Sequence, residues 1–414
     1  MRNWRVIGIV IVLVILLDFY IFQVIRSVSQ GASARARMVT FSLYWCISIG
    51  ALVIFAILPF VTAPEWPRLK NYIFITVLLL FFSKLLAAVF FLLDDIRRLI
   101  QWAAGKLFFN NTEVSAMNGE GISRSAFLSW LGIGLGGTLF SSLVYGFSNK
   151  YKYEVRRVRL TFDNLPASFR GLKIVQISDI HSGSFGNPQA VSRGVDKILE
   201  EKPDLILFTG DLVNDAAKEM KDYTAIFSRL NAPMGVFSTL GNHDYGDYIW
   251  WATPELKKAN LEHLKQIQAG MGWRLLMNEH VVLEKGGEQI ALIGIENWSA
   301  KARFPKYGKM SEAYAGAEKY PFKILMSHDP SHWDAEVRTH YPDIDLALAG
   351  HTHGMQFGVE IPGLKWSPVQ YVYPQWAGLY EEGRQKLYVN RGFGFIGYPG
   401  RVGIMPEITV IELA

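Results

Sequence analysis

Five short polar motifs recur in fixed order over the last two-thirds of the chain, and each stands directly behind an apolar run. They are Asp179-Ile180-His181, Gly210-Asp211-Leu212-Val213-Asn214, Gly241-Asn242-His243-Asp244, Ser327-His328-Asp329 and Gly350-His351-Thr352-His353. The preceding runs are too short for helices and read as buried strands, so the polar residues fall where strands end and loops begin. Side chains delivered from several strand ends to one sheet edge converge on a point, which scattered His and Asp do not. Carboxylate, amide and imidazole groups are the ligand set of Zn, Mn or Fe ions. The pattern predicts a metal-dependent enzyme.

Asp179 and His181 flank one residue in a turn and can face a single ion. Gly210 permits a sharp turn, and the two oxygens of Asp211 can bridge two cations. Asn242 adds a neutral amide oxygen, which limits negative charge in the site. His351 and His353 stand on a glycine-flanked loop, where alternate ligands can reach different ions, and His328 completes a second site. His263, His280, His332 and His340 belong to no motif and read as surface or packing residues.

The front of the chain is different in kind. Of 414 residues, 50% are hydrophobic, and these concentrate in four stretches at about 6–25, 40–61, 72–93 and 126–147. Each is long enough to cross a bilayer core as a helix, with Trp4, Trp45, Trp66 and Tyr72 near the ends as interfacial residues. One such run fits a buried core helix; four do not. Asp18 and Lys84 interrupt the first and third spans. A charge at mid-membrane costs roughly 2.5–3.5 kcal/mol on insertion scales, so both are expected inside the bundle, as a pair of opposite sign. The spacing Gly132-x-x-x-Gly136 marks a close-packing face.

The predicted organisation is a membrane domain over 1–150 and a soluble domain over 151–414, long enough for one large core. Within the second, strands are expected at 152–160, 172–178, 205–209, 236–240, 290–295, 322–326, 346–349, 387–390 and 407–412. Helices are expected at 189–201 and 255–270. The net charge of +5 is spread along the chain, so no nucleic-acid partner is expected, whereas anionic lipid headgroups suit it. The single cysteine, Cys46, excludes an intrachain disulfide and a thiolate cluster.

The motif series resembles the calcineurin-like metallophosphoesterase superfamily over about 173–412, and most closely its bacterial membrane-associated branch. The resemblance implies a four-layer α/β/β/α sandwich, here preceded by the transmembrane helices. It implies two divalent ions, one held by Asp179, His181, Asp211 and His353, the other by Asp211, Asn242, His328 and His351. His243 is implied as the catalytic residue that faces the scissile phosphate. Two ions a few ångströms apart lower the pKa of a bridging water and neutralise charge developing on phosphorus. Where protein phosphatases of the superfamily carry an Asp that orients this histidine, the chain has Asn214, which argues against protein phosphatase activity.

Asn214, Asn278, Arg391 and Arg401 are further candidates for substrate contact, with a structural or solvated role as the competing reading. The aromatic segment around Tyr245, Tyr248, Trp250, Trp251 and Trp298 reads as a lid, a membrane-facing lip or core.

The expected function is membrane-anchored hydrolysis of a phosphate mono- or diester. A lipid or lipid-linked substrate such as UDP-2,3-diacylglucosamine is one concrete candidate, because related hydrolases of that lipid share the superfamily. A non-catalytic metal-binding scaffold or sensor on the same fold is the alternative. Four spans put the N-terminus and the phosphoesterase domain on one side of what is read as a bacterial inner membrane. Flanking Lys and Arg divide almost evenly and do not assign that side. Ser123-Arg124-Ser125-Ala126-Phe127-Leu128 resembles a twin-arginine export signal lacking its second arginine and points to the outer face; a UDP-linked lipid points to the cytoplasm.

Overall fold

A computed structural model describes residues 4–61, 67–108 and 124–414; Trp66 and Ser123 lie outside the described residues. The chain divides into two compact units, Met1–Val144 and Tyr145–Ala414.

The first unit holds helices α1 (Trp4–Val28), α2 (Ala34–Ile57), α3 (Pro67–Phe108) and most of α4 (Arg124–Gly146). All four are long and apolar enough to span a bilayer. The second begins earlier than the apolar run because Ser33 caps it, accepting a hydrogen bond from the Ala36 amide at 3.2 Å. α3 runs 42 residues, about 60 Å at the usual helical rise and twice the thickness of a bilayer core. The charges after Leu93 end the apolar run without ending the helix. Asp94–Arg97 at 2.7 Å and Asp95–Arg98 at 3.8 Å are neighbours three residues apart on its surface.

Lys84 Nζ lies 2.6 Å from Asp18 Oδ1, so the two intramembrane charges do meet. Ser48 Oγ stands between them at 2.8 and 3.1 Å, and the Tyr44 hydroxyl donates to the Asp18 carbonyl at 2.7 Å. Gly132 and Gly136 pack directly on α3: a methyl on Gly136 would sit 2.8 Å from the Ser83 carbonyl.

In the second unit the strands are β1 (Glu154–Leu160), β2 (Lys173–Ile177), β3 (Leu205–Phe208), β4 (Val236–Ser238), β5 (Trp273–Leu275), β6 (Glu279–Lys285), β7 (Glu288–Gly294), β8 (Lys323–Met326), β9 (Leu346–Ala349), β10 (Val359–Ile361), β11 (Leu364–Trp366), β12 (Gly378–Glu382), β13 (Gln385–Val389) and β14 (Glu407–Leu413). They form two six-stranded sheets, β1-β14-β2-β3-β4-β5 and β12-β13-β9-β8-β7-β6, and a separate two-stranded ribbon, β10-β11.

Strand alternation makes the layers. Ile174, Leu205 and Leu207 of the first sheet meet Leu292, Ile324, Met326 and Leu348 of the second in one buried cluster. The opposite faces of those strands, Val175, Ile177, Ile206 and Phe208, pack under α5 (Pro188–Glu200) and α7 (Pro254–Gly270), beside the short α6 (Thr224–Phe227). Across the molecule, Ile293, Leu325 and Ala347 are covered by α8 (Met310–Tyr314) and by the turn Trp333–Val337 that leads into α9 (Arg338–His340). The result is the expected helix–sheet–sheet–helix sandwich.

Candidate metal centre

β2, β3 and β4 are adjacent and mutually parallel, and so are β8 and β9. Their C-terminal ends therefore share one edge of the sandwich, and the five motifs follow those ends. Asp179 and His181 leave β2, Asp211 leaves β3, Asn242 and His243 leave β4, His328 leaves β8, and His351 and His353 leave β9.

Five of these residues hold left-handed backbone: Asp179 (φ 53°), His181 (49°), Asp211 (63°), His351 (70°) and His353 (51°). Such conformations cost of order 1–3 kcal/mol each outside glycine and persist where the surroundings enforce them, commonly at functional sites. The Asp179 carboxylate accepts the His351 amide at 2.9 Å, and Asp211 Oδ1 accepts the His243 amide at 2.8 Å. Gly350 is obligatory beside them: a Cβ there would lie 2.0 Å from Ser178 Oγ and 2.2 Å from Asp179 Oδ2. Gly210 takes φ +95° at the turn expected of it.

Two groups of ligand atoms result, Asp179 with His181 and His353, and Asp211 with His328 and His351, each within 4.8 Å of one another. His353 Nε2 is 3.1 Å from Asp179 Oδ1, and His181 Nε2 faces His353 Nε2 at 3.0 Å. Asp211 Oδ2 lies 3.1 Å from His328 Nε2 and 3.5 Å from His181 Nε2, so one carboxylate touches both groups. His351 Nδ1 is 3.3 Å from His328 Nε2. Asn242 lines the same cavity, and its Oδ1 is buried with no hydrogen-bond partner, as is Nδ1 of His181. An orphaned acceptor and two imidazole nitrogens facing each other fit a cation better than they fit an empty core.

The electrostatics agree. Burial raises the Asp179 and Asp211 carboxyls, but the surrounding imidazoles outweigh it and hold both below the usual carboxylate range. Burial depresses His181 and His351, favouring neutral, ligating imidazoles. His328 is the exception. Against the effect of burial, Asp211 carries it up to about 10. Its Nδ1 donates to the Thr209 carbonyl at 2.7 Å, leaving Nε2 for the site.

His243 lines the cavity without joining either ligand group. Its Nδ1 lies 2.7 Å from the Asn214 carbonyl, so that nitrogen carries a proton and Nε2 is the free one. The Asn214 side chain instead exchanges hydrogen bonds with Ser184. The histidine is thus oriented by the main chain of residue 214 and not by its side chain.

None of the four candidate substrate contacts lines the cavity. Asn278 (φ 58°) clamps Glu296 at 2.7 Å and the Lys309 amide at 2.8 Å. Arg391 is buried between Glu407 and Glu360. Arg401 is buried too, donating to the carbonyls of Arg391 and Gly392 at 2.7 and 3.1 Å, with His353 Nδ1 3.4 Å away. Arg401, held by the Arg391 carbonyl, backs His353, so these two arginines form a floor under the site. The arginine that does line the cavity is Arg303, next to Phe304. No local pattern in the sequence marked it.

Three supporting groups were also missed. Asp244 accepts the amides of Asp211, Leu212 and Gly241 at 2.8–2.9 Å. Tyr373 meets His351 Nε2 at 3.0 Å, and Asp329 lies 3.4 Å from the same nitrogen. Asp244 and Asp329 stood inside the motifs, whereas Tyr373 comes from a loop without one. Of the aromatic segment, Tyr248 reaches the site: its hydroxyl is 2.9 Å from Asn242 Nδ2 and its ring 4.6 Å from that of His243. Tyr245 is core, stacked on Tyr307.

Residues 172–355 match the family model for the calcineurin-like phosphoesterase, and residues 1–150 match that for a probable calcineurin-like phosphoesterase transmembrane domain. The chain is 30% identical to the uncharacterized metallophosphoesterase YkuE of Bacillus subtilis, across 70% of this chain and 98% of that protein. It is also 30% identical to the phosphodiesterase YaeI of Escherichia coli, across 70% of this chain and 99% of that one. With the UDP-2,3-diacylglucosamine pyrophosphatase LpxG of Chlamydia muridarum it shares 29% identity, across 55% of this chain and 79% of the relative. The chain belongs to the calcineurin-like metallophosphoesterase family, as an integral membrane member whose phosphoesterase module follows a four-helix transmembrane domain.

Proposed function

We propose that residues 1–150 anchor the protein in the membrane and that residues 151–414 hydrolyse a phosphate mono- or diester at two divalent cations. Asp179, His181, Asp211 and His353 would hold one; Asp211, Asn242, His328 and His351 would hold the other. The observation that carries this reading is the contact of one carboxylate, Asp211, with both ligand groups. Mn, Fe and Zn all suit the donor set. Two such cations supply Lewis-acid charge and a nucleophilic water at neutral pH.

The protein's own groups do the rest. Asn214 O holds the His243 ring through Nδ1–H, so an imidazolium there presents its Nε2 proton to the cavity, where it neutralises a phosphoryl oxygen or protonates the leaving group. Tyr373 and Asp329 orient His351 from its far side. Arg303 brings positive charge to the rim for a substrate oxygen.

The cavity, about 400 Å³, also has an apolar wall of Phe304, Met355, Val369, Val372 and Ile396. That wall supports a lipid or lipid-linked substrate, with UDP-2,3-diacylglucosamine, named for the relative LpxG, as the first to try. The test is hydrolysis by the full-length protein in detergent with Mn²⁺, on bis-p-nitrophenyl phosphate, p-nitrophenyl phosphate, phospholipids and UDP-linked lipids. His243→Ala should lower turnover by roughly 10²–10⁴-fold without loss of bound metal. Metal-loaded protein that turns over nothing would favour the scaffold reading. Protease protection of a C-terminal tag in sealed vesicles decides the membrane side, which a UDP-linked substrate requires to be cytoplasmic.

A further inference from the structure

The ribbon β10-β11 is built inside out. Val359 pairs with Trp366, Glu360 with Lys365 and Ile361 with Leu364, so two polar residues share one face and four apolar residues share the other. The polar side chains reach back to the protein, Glu360 half-buried and Lys365 from an exposed position. Glu360 takes Arg156 at 2.9 and 3.0 Å and Arg391 at 2.6 and 3.1 Å, while Lys365 donates to the Ala377 carbonyl with its Nζ 4.8 Å from the Trp376 ring. The apolar face is turned outward: Ile361 and Leu364 at the tip are 58% and 51% exposed. A ribbon on an aqueous surface has the reverse arrangement, because bare apolar area is unfavourable in water.

The exposed apolar surface continues into the metal cavity. The turn after the ribbon carries Tyr371, 77% exposed, and Val372, and Val372 and Met355 also form cavity wall. Trp366 and Tyr371 are the aromatic types that settle at a membrane interface. A basic loop, Lys301-Ala302-Arg303-Phe304-Pro305-Lys306, adjoins it, with Lys301 Nζ 5.3 Å from the Tyr373 ring and Arg303 in the cavity wall.

Within the second unit the ribbon is also tied to that unit's first residues. Helix α4 ends at Gly146. The Gly146 carbonyl accepts the Arg401 amide at 2.9 Å, Val402 bonds Gln356 O and receives the Gly358 amide, both at 2.9 Å, and Val359 begins β10.

We propose that the outward face of β10-β11, with Tyr371 and Val372, is seated in the bilayer interface and delivers the acyl chains of a membrane lipid to the cavity, the basic loop meeting its anionic headgroup. The proposal rests on the reading of the site as a phosphoesterase and names its substrate class as an acylated phosphoester taken from the bilayer.

Two measurements on the full-length protein in phosphatidylcholine–phosphatidylglycerol nanodiscs test it. In a Cys46→Ser background, bimane is attached at Ile361→Cys or at Lys285→Cys. Lys285 is exposed on the β6–β7 turn, at the opposite end of the sheet from the metal edge. Lipids spin-labelled on the acyl chain should quench the label at 361 and spare that at 285. Equal quenching, or none at 361, overturns the proposal.

The double variant Ile361→Glu/Leu364→Glu should keep bis-p-nitrophenyl phosphate hydrolysis within about twofold while turnover of a bilayer-embedded lipid falls about tenfold or more, the loss expected from two apolar contacts. Lipid turnover unchanged in that variant also overturns it. A parent protein inactive on every phosphoester would remove the phosphoesterase reading, and the quenching result would still decide where the ribbon sits.

Discussion

Arg391→Met isolates how the floor under the metal centre is held. Arg391 and Glu407 are both buried, and Glu407 also accepts the Tyr388 hydroxyl and Thr409 Oγ, each at 2.6 Å. Removing the guanidinium leaves a carboxylate in the core with three neutral donors, the third being the residue 391 amide at 3.3 Å, and no directly paired counter-charge, whereas Glu360 keeps Arg156. Breaking a buried pair from one side costs roughly 3–5 kcal/mol. For a unit of this size that lowers the melting temperature by roughly 10 °C, measurable by tryptophan fluorescence on the full-length protein in detergent. The pH dependence gives the sharper test. In the parent, burial pushes the Glu407 carboxyl up but Arg391 pulls it below its ordinary range. Its contribution is therefore complete above the unfolded-state value, about 4.3, and is lost as pH falls through the lower folded-state value. Without Arg391 the burial effect wins and the folded-state value rises above 4.3, so the variant's deficit should be greatest near neutrality and shrink as pH falls towards 5. Adding Glu407→Gln should recover at least half of the lost stability at pH 7. A deficit below about 2 °C, or one that grows on acidification, would refute the reasoning.

Gly350→Ala should abolish metal loading while leaving expression intact, because its methyl would overlap Ser178 and Asp179; metal analysis of the purified protein checks this. Tyr373→Phe removes a hydrogen bond to His351 and should weaken metal affinity or activity by roughly 10–100-fold, read by metal titration beside kcat. In the membrane, Asp18→Asn or Lys84→Met alone leaves the partner charge buried and should lower thermal stability in detergent, whereas the double change should restore most of it. Equal losses in the singles and the double would show that the pair is not structural.

The residues that converge on the candidate centre were legible because each is fixed locally. A parallel strand ends, a glycine or a left-handed residue turns the chain, and the next side chain has one direction to face. The same locality made the layers readable, since residues 205–208, 324–326 and 346–349 are continuous apolar runs, as buried parallel strands are. The β10-β11 ribbon escaped because the alternation rule assumes that apolar faces turn inward, and here the polar face does. α3 ran past its expected end because helix continuity depends on backbone and ion pairing rather than on hydropathy.

What the sequence by itself determined is the list of candidate ligands, the strand ends that carry them and the four helices able to span a membrane, all encoded within a few neighbouring residues. Only the tertiary structure decided which groups stand behind that list. Whether an arginine faces substrate or a buried glutamate, whether the side chain or the carbonyl of residue 214 holds His243, and that Tyr373 and Arg303 reach the cavity at all depend on which distant segments pack together. Long-range packing sets those distances, and no spacing along the chain records it.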